Sequence, residues 1–337
     1  MDGFVIHQTI VQSGTALDLG QIAREVGDGL SVSPVSKDRS PPVQVMSMLR
    51  TLYALLKTMR PKQWTKNAFV FTALIFDRKL FQPEPFLRTL FAFVLFALAS
   101  SVVYLVNDLA DMESDRKHPK KRFRPLASGE LSPRVAVIAA VLLTLVIIPA
   151  AFWLDKELGF IIIGYLLLQL AYSFVLKHIV IIDVMTVAAG FVLRVAAGVA
   201  VVDVARFSPW LYVCTTLLAL FIAINKRRHE LILLAQDADN HRKILNEYNI
   251  QFLDEMNSMV TSSTVIAYSL YTFSAPNLPQ NHAMMLTIPF VIYGLFRYLY
   301  LVHVKGEGGA PDELVLRDVP LFLTLVLWAL TVILVLY

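Results

Sequence analysis

Residues 104–129 read YLVNDLADMESDRKHPKKRFRPLASG. Asp108, Asp111, Glu113 and Asp115 are followed at once by Arg116, Lys117, Lys120, Lys121, Arg122 and Arg124. The run just before them, residues 86–106, carries one charge near its start. About twenty such residues suffice for a helix to cross a bilayer. A dense cluster of charges of both signs therefore stands at the mouth of a membrane helix. Working outward, further apolar runs of similar length follow one another along the chain. Of the 337 residues, 56% are hydrophobic and 17% charged, against roughly 25% charged in soluble domains. Mean hydropathy is +0.61. The expected fold class is an all-α polytopic membrane protein. The runs are continuously apolar and do not alternate, which argues against a β-barrel.

Nine spans are expected, at roughly 68–82, 86–106, 134–154, 158–176, 179–201, 209–225, 258–275, 283–301 and 318–337. Bases alternate between the connections. Lys57, Arg60, Lys62 and Lys66 precede the first span, and the cluster above follows the second. Lys226, Arg227, Arg228, Arg242 and Lys243 follow the sixth, and Lys305 and Arg317 follow the eighth. The loops after the third, fifth and seventh hold Lys156, Arg206 and no base. By the positive-inside rule the N-terminus and the charged loops are cytosolic, in a multi-pass protein of the cell membrane. The largest inner loops follow spans two and six, which suggests a duplicated bundle without a visible sequence repeat. Residues 1–45 have no basic leader and turn Gly-, Ser- and Pro-containing at their end. They are expected to form a poorly ordered cytosolic extension to a catalytic domain at 46–337. The single cysteine, Cys214, lies in an apolar run and reads as a packing residue.

Asn107, Asp111 and Asp115 recur at intervals of four, so a helix places them on one stripe, with Asp108 beside it. Like charges at that spacing destabilise a helix unless a cation neutralises them. Clustered carboxylates suit Mg2+, which takes one or two carboxylates together with waters and substrate phosphates. The bases that follow serve either membrane topology or the phosphates of a substrate. Arg194, deep in span five, is costly in a membrane and is a candidate functional residue. Asp183 lies too far along the same helix to pair with it directly. Tyr104 and Tyr172 are expected simply to pack.

An NDxxDxxxD pattern after the second of nine spans resembles the intramembrane prenyltransferase superfamily typified by UbiA. Within it, RPKQWTKN at 60–67, the 104–129 stretch, NKRRHEL at 225–231 and DELVLRD at 312–318 resemble the decaprenyl-phosphate phosphoribosyltransferase branch. The superfamily commonly carries a second acidic motif after the sixth span. Here Asn225, Lys226, Arg227, Arg228, His229 and Glu230 stand in its place, and Asp237 and Asp239 do not restore it. The resemblance implies transfer of phosphoribose from 5-phosphoribosyl 1-diphosphate (PRPP) to a membrane polyprenyl phosphate, releasing diphosphate, for arabinan in the cell wall. It implies Mg2+ at Asp108, Asp111 and Asp115, with Asn107, Asp108 and Asp111 as catalytic residues. Lys117, Lys121, Arg122, Arg124, Lys177, Lys226, Arg227 and Glu230 would hold the donor. Arg60, Lys66 and Arg194 would hold the lipid phosphate. Glu230 reads equally as an ion-pair partner of Lys226, and RPKQWTKN equally as an interfacial anchor. A homo-oligomer is left open, and no nucleic-acid partner is expected. A prenyl diphosphate-dependent aromatic prenyltransferase and a transporter are the competing readings. The former should have the second acidic motif, and the latter charges spread through its spans.

Overall fold

The computed structural model describes residues 43–119, 121–204, 208–234, 243–309 and 311–337. Most of the expected N-terminal extension, Lys120, and Asp237 and Asp239 lie outside the described residues. The described chain is helical and has no strand.

Helix α1 (Val43–Met59) leads to a 3-10 helix, Pro61–Phe71, which runs on into α2 (Thr72–Phe76). Then come α3 (Pro83–Ala110), α4 (Met112–Lys117) and the single turn α5 (Pro125–Ser128). The long helices α6 (Pro133–Leu154), α7 (Lys156–Phe174), α8 (Ile182–Val202), α9 (Pro209–Leu234) and α10 (Ile250–Ser274) follow. Last are α11 (Ile288–His303), α12 (Pro311–Arg317) and α13 (Val319–Leu336). Local signals set several starts. Proline opens α3, α6 and α9, where its missing N–H costs nothing. Asp155 caps α7 by accepting from Glu157 N and Leu158 N, and Asp318 caps α13 through Leu321 N.

Seven described helices are long and apolar enough to cross a membrane. The expected count of nine is not reproduced by that measure, and both differences have a physical cause. Helix α10 contains the expected span 258–275, but Ser258, Thr261, Ser262, Ser263, Thr264, Ser269, Thr272 and Ser274 within it keep its hydropathy too low. The expected first span, 68–82, is shifted and split. Residues 61–71 wind as a 3-10 helix, which rises about 2 Å per residue instead of 1.5 Å. Sixteen residues, 61–76, thereby extend about 30 Å, from the charged mouth of α3 to the opposite end of the bundle.

Helix α3 is the axis of the first half. Its 28 residues rise about 42 Å, beyond a hydrocarbon core of about 30 Å. It packs against the 3-10 segment, α6, α7 and α8, burying Leu95, Phe96, Ala99, Val102 and Leu105. A second core gathers Phe221 and Ile224 of α9, Leu253 of α10 and Leu295 and Tyr298 of α11. Outward-facing side chains of α6, including Val141, Leu142, Leu145 and Val146, are exposed and apolar, as a lipid-facing helix requires.

Helix α8 approaches the 3-10 segment closely. A Cβ on Gly198 would lie 2.0 Å from the carbonyl oxygen of Val70, whereas one on Gly164 of α7 would meet nothing within 4 Å. Gly198→Ala is therefore expected to lower the thermal unfolding midpoint, by an overpacking cost of about 1–3 kcal/mol. Gly164→Ala should leave it unchanged or raise it slightly, because alanine is the better helix former. Melting the two purified variants side by side checks the sign of both.

Candidate functional site

The acidic stretch is not one uninterrupted helix. Helix α3 ends at Ala110, and Asp111 sits at the junction with φ −92° and ψ 2°. Helical bonds continue across it, from Asp111 N to Asn107 O and from Asp115 N to Asp111 O. The expected stripe thus persists with a bend at Asp111, and the bend sends the acids to different partners.

Asp108 is only 2% exposed. Its Oδ1 accepts from Arg60 Nη2 at 2.5 Å and from Arg124 Nη1 at 3.1 Å. Arg124 Nη1 also donates to Asp115 Oδ2 at 2.7 Å, so one guanidinium gathers two buried carboxylates. Asp111 is more open and accepts from Lys177 Nζ at 3.2 Å. Arg60 owes its position to the backbone. It precedes Pro61 and adopts φ 53°, an uncommon conformation for a residue with a side chain. Its guanidinium lies 4.7 Å above the Tyr104 ring, so Tyr104 does more than pack.

A second charged mouth lies at the other end of α9. Arg227 is almost buried; its Nε donates to Asp183 Oδ2 at 2.6 Å and its Nη2 to Tyr172 Oη at 3.1 Å. It also pairs with Glu230. Asp183, fully buried, accepts a further bond from Tyr248 Oη at 2.6 Å, and Tyr248 Oη accepts from Ile181 N. Burial pushes the Tyr248 hydroxyl well above its ordinary pKa, so it remains a donor through the physiological range. Beside this network Asn225 and Asn257 exchange amide bonds of 3.0 and 3.2 Å. Arg228 pairs with Asp254.

Several expectations change. Glu230 is held by Arg227, not by Lys226. Arg227 spends three of its five N–H donors on Asp183, Glu230 and Tyr172, so it positions Glu230. Tyr172 is a hydrogen-bond acceptor for Arg227 and not mere packing. Trp64 donates its indole N–H to Ser101 Oγ at 3.1 Å and packs against the first core. Lys117 and Arg122 are exposed, and Lys66 and Lys121 are half-buried. Asn107 is half-buried at the mouth.

Arg194 does not join Arg60 and Lys66. Its donors go to Asn67 Oδ1 at 2.7 Å, Gly190 O at 2.7 Å, Tyr165 Oη at 3.0 Å and Ser100 Oγ at 3.4 Å. Ser100 precedes Asp108 by two helical turns, about 12 Å of rise. Arg194 therefore lies deep in the bundle, and Asp183, too far along the same helix to reach it, belongs to Arg227. The sequence pointed to Arg194 by its setting but not to Asn67, Tyr165, Tyr248 or Asn257. Only Asn257 carried a signal, as a polar residue in an otherwise membrane-length helix.

The described His, Cys, Asp and Glu residues form no group of three able to hold a metal. Asp115, the third acid of the expected metal triad, pairs with Arg124. The bonds from Arg60, Arg124 and Lys177 use the Oδ1 atoms of Asp108 and Asp111, and each acid has a second carboxylate oxygen. Two carboxylate oxygens are a sufficient protein contribution for Mg2+ completed by waters and substrate phosphates. The residues present fit a divalent cation on those terms.

The sequence matches the UbiA prenyltransferase family over residues 68–325. It is 33% identical to a decaprenyl-phosphate phosphoribosyltransferase of Mycobacterium tuberculosis, across 82% of this chain and 92% of that protein. It is also 33% identical to the enzyme of the same name from Corynebacterium glutamicum, across 90% of each. Its fold is similar to that of a UbiA homolog from Archaeoglobus fulgidus bound to DMAPP and Mg2+. That likeness has a TM-score of 0.65 at 17% identity and covers 84% of this chain and 98% of that one.

The buried network around Asp183 makes a stability prediction. Asp183→Ala removes the carboxylate beside a buried guanidinium, a loss of about 3–5 kcal/mol. Tyr248→Phe removes single hydrogen bonds, about 1–3 kcal/mol. Unfolding midpoints should rank wild type above Tyr248→Phe and Tyr248→Phe above Asp183→Ala; a reversed order would mean that Asp183 is not the centre of the network.

Proposed function

This chain belongs to the UbiA prenyltransferase family, and we propose that it transfers 5-phosphoribose from PRPP to a membrane polyprenyl phosphate, releasing diphosphate. One observation carries the reading. The inner end of α7 touches both charged mouths: Tyr172 meets Arg227 of α9, while Lys177, just beyond the helix, meets Asp111. The acidic mouth and the basic mouth thereby border one site. A donor with a diphosphate at one end of its ribose and a monophosphate at the other matches a site with acids on one side and bases on the other. The names of the relatives from Mycobacterium tuberculosis and Corynebacterium glutamicum support the same choice.

The acceptor is a phosphate monoester with a second pKa near 6. It is an anionic nucleophile at neutral pH without a protein base. Its oxygen attacks ribose C1 as the bond from C1 to the diphosphate oxygen breaks, through a centre of oxocarbenium character. Asp108 and Asp111 would hold a divalent cation, which when bound supplies Lewis-acid stabilisation of the departing diphosphate. Arg124 and Lys177, already beside these acids, exchange carboxylate for phosphate oxygens as the donor enters. Lys117, Lys121 and Arg122 widen the same basic rim. Lys226, exposed at the end of α9, faces the 5-phosphate. Glu230, held in place by Arg227, accepts from a ribose hydroxyl. Arg60 and Lys66 receive the lipid phosphate at the mouth. Arg194 holds Asn67 and the 3-10 segment beneath them, so that the tail lies along the bundle. The charged mouths face the cytosol, where the donor is soluble, and the protein sits in the cell membrane, where its lipid product is a precursor for cell-wall arabinan.

The test is diphosphate release by purified protein with Mg2+ and polyprenyl phosphate, given either PRPP or a prenyl diphosphate with an aromatic acid. Release and a phosphoribosylated lipid are expected only with the first donor; turnover only with the second would overturn the substrate assignment. Asp111→Asn should lower turnover by about a hundredfold or more in a protein that still folds. Lys177→Ala should raise KM for PRPP more than it lowers kcat.

A further inference from the structure

The end of the bundle opposite the charged mouths contains a small, partly open cavity of about 20 Å3, bordered by Asp77, Ser208, Tyr271 and Asn277 among apolar neighbours. Each of these four residues has one buried oxygen with no hydrogen-bond partner among the described residues: Asp77 Oδ2, Ser208 Oγ, Tyr271 Oη and Asn277 Oδ1. Asn277 Nδ2 donates to Phe76 O at 2.9 Å. Lys79 Nζ stands 2.9 Å from Asp77 Oδ2 as an ion pair, at an angle that does not make a hydrogen bond. Buried oxygens without partners are rare, and four around one cavity point to a common ligand.

We propose that this cavity is a binding site for a single structural water, which ties the two halves of the bundle together at this end. The volume suits one water and no larger group. The chemistry is complementary. Tyr271 and Ser208 have hydroxyl protons to donate to the water oxygen. Asp77 Oδ2 and Asn277 Oδ1 can only accept, and they take the two protons of the water. All four bonds of a tetrahedral water are thereby used, and no polar atom of the cavity is left over. A metal cation is the poorer occupant, because Lys79 already neutralises Asp77. The four residues come from separate places in the chain: the turn after α2, the start of α9, the end of α10 and the connection beyond it. Helix α2 continues the 3-10 segment that carries Asn67 and begins at Arg60. A pin at Asp77 therefore fixes the far end of the segment whose near end reaches Asp108.

The sign of a mutational effect tests the proposal. In a dry cavity the Tyr271 hydroxyl is an uncompensated buried group, and Tyr271→Phe raises the unfolding midpoint. With a bridging water the same change lowers it, by about 2 °C or more. We expect the decrease, a similar decrease for Ser208→Ala, and a double variant that loses less than the sum of the two. Basal transfer activity should persist in both single variants. A rise for both, or strictly additive losses, would overturn the bridging water. So would a midpoint that rises in sodium chloride over choline chloride for wild type but not for Asp77→Asn, since that places a cation in the cavity. A density map that resolves waters should contain one peak within hydrogen-bond reach of at least three of the four oxygens. Ordered side chains with no such peak would sink the idea.

Discussion

A carboxylate at the end of a membrane helix has to be neutralised or wet. Asp108 is nearly buried, and the guanidinium groups of Arg60 and Arg124 meet its Oδ1. Much of the architecture follows from that demand. Arg60 reaches Asp108 because the chain turns through a positive φ before Pro61, and Pro61 starts the 3-10 segment that crosses the bundle. Arg124 reaches it because residues 121–124 pack back against α4, and the same guanidinium captures Asp115. Removing either cation leaves a buried charge uncompensated, which is far more costly than losing a surface pair.

The same economy governs the second mouth. Arg227 is buried with Asp183, Tyr172 and Glu230, and Asp183 is completed by Tyr248. These contacts join α7, α8, α9 and the segment before α10. A buried charge network of this kind has little slack: both oxygens of Asp183 accept a bond, so Arg227 and the Glu230 it pairs with are held in place before any substrate arrives. The deep cation Arg194 uses a third solution, with carbonyl, amide and hydroxyl oxygens in place of a carboxylate. That arrangement keeps a positive charge in the bundle without an opposing ion among its partners.

The candidate site was legible wherever composition alone forced a conclusion. Asp108 and Asp111 next to a run of bases at the end of an apolar helix require a polar mouth, whatever their partners. Arg194 in an apolar span requires a buried hydrogen-bond environment. What local pattern could not supply was pairing. Glu230 has a base four residues before it and another three before it, and the sequence does not choose between Lys226 and Arg227. The choice falls to Arg227 because that face of α9 turns inward toward Asp183. Asp115 has the spacing of a metal ligand, and nothing in that spacing foretells that Arg124 lies beside it.

By itself, the sequence determined the class of this protein: hydropathy runs long enough to cross a bilayer, charges confined to a few connections, and an acidic motif at one of them. Those features depend on residues near one another in the chain, where periodicity and length act directly. The tertiary structure alone decided which charges neutralise which. Ion pairs such as Arg60 with Asp108, Lys177 with Asp111 and Arg227 with Asp183 join residues 44 to 66 positions apart. It also decided that residues 61–71 stretch into a 3-10 helix, because the distance to be crossed is set by the neighbours of that segment and not by its own propensity. Low dielectric makes an unpaired charge costly there, but the pairing is settled only after packing has brought the partners together.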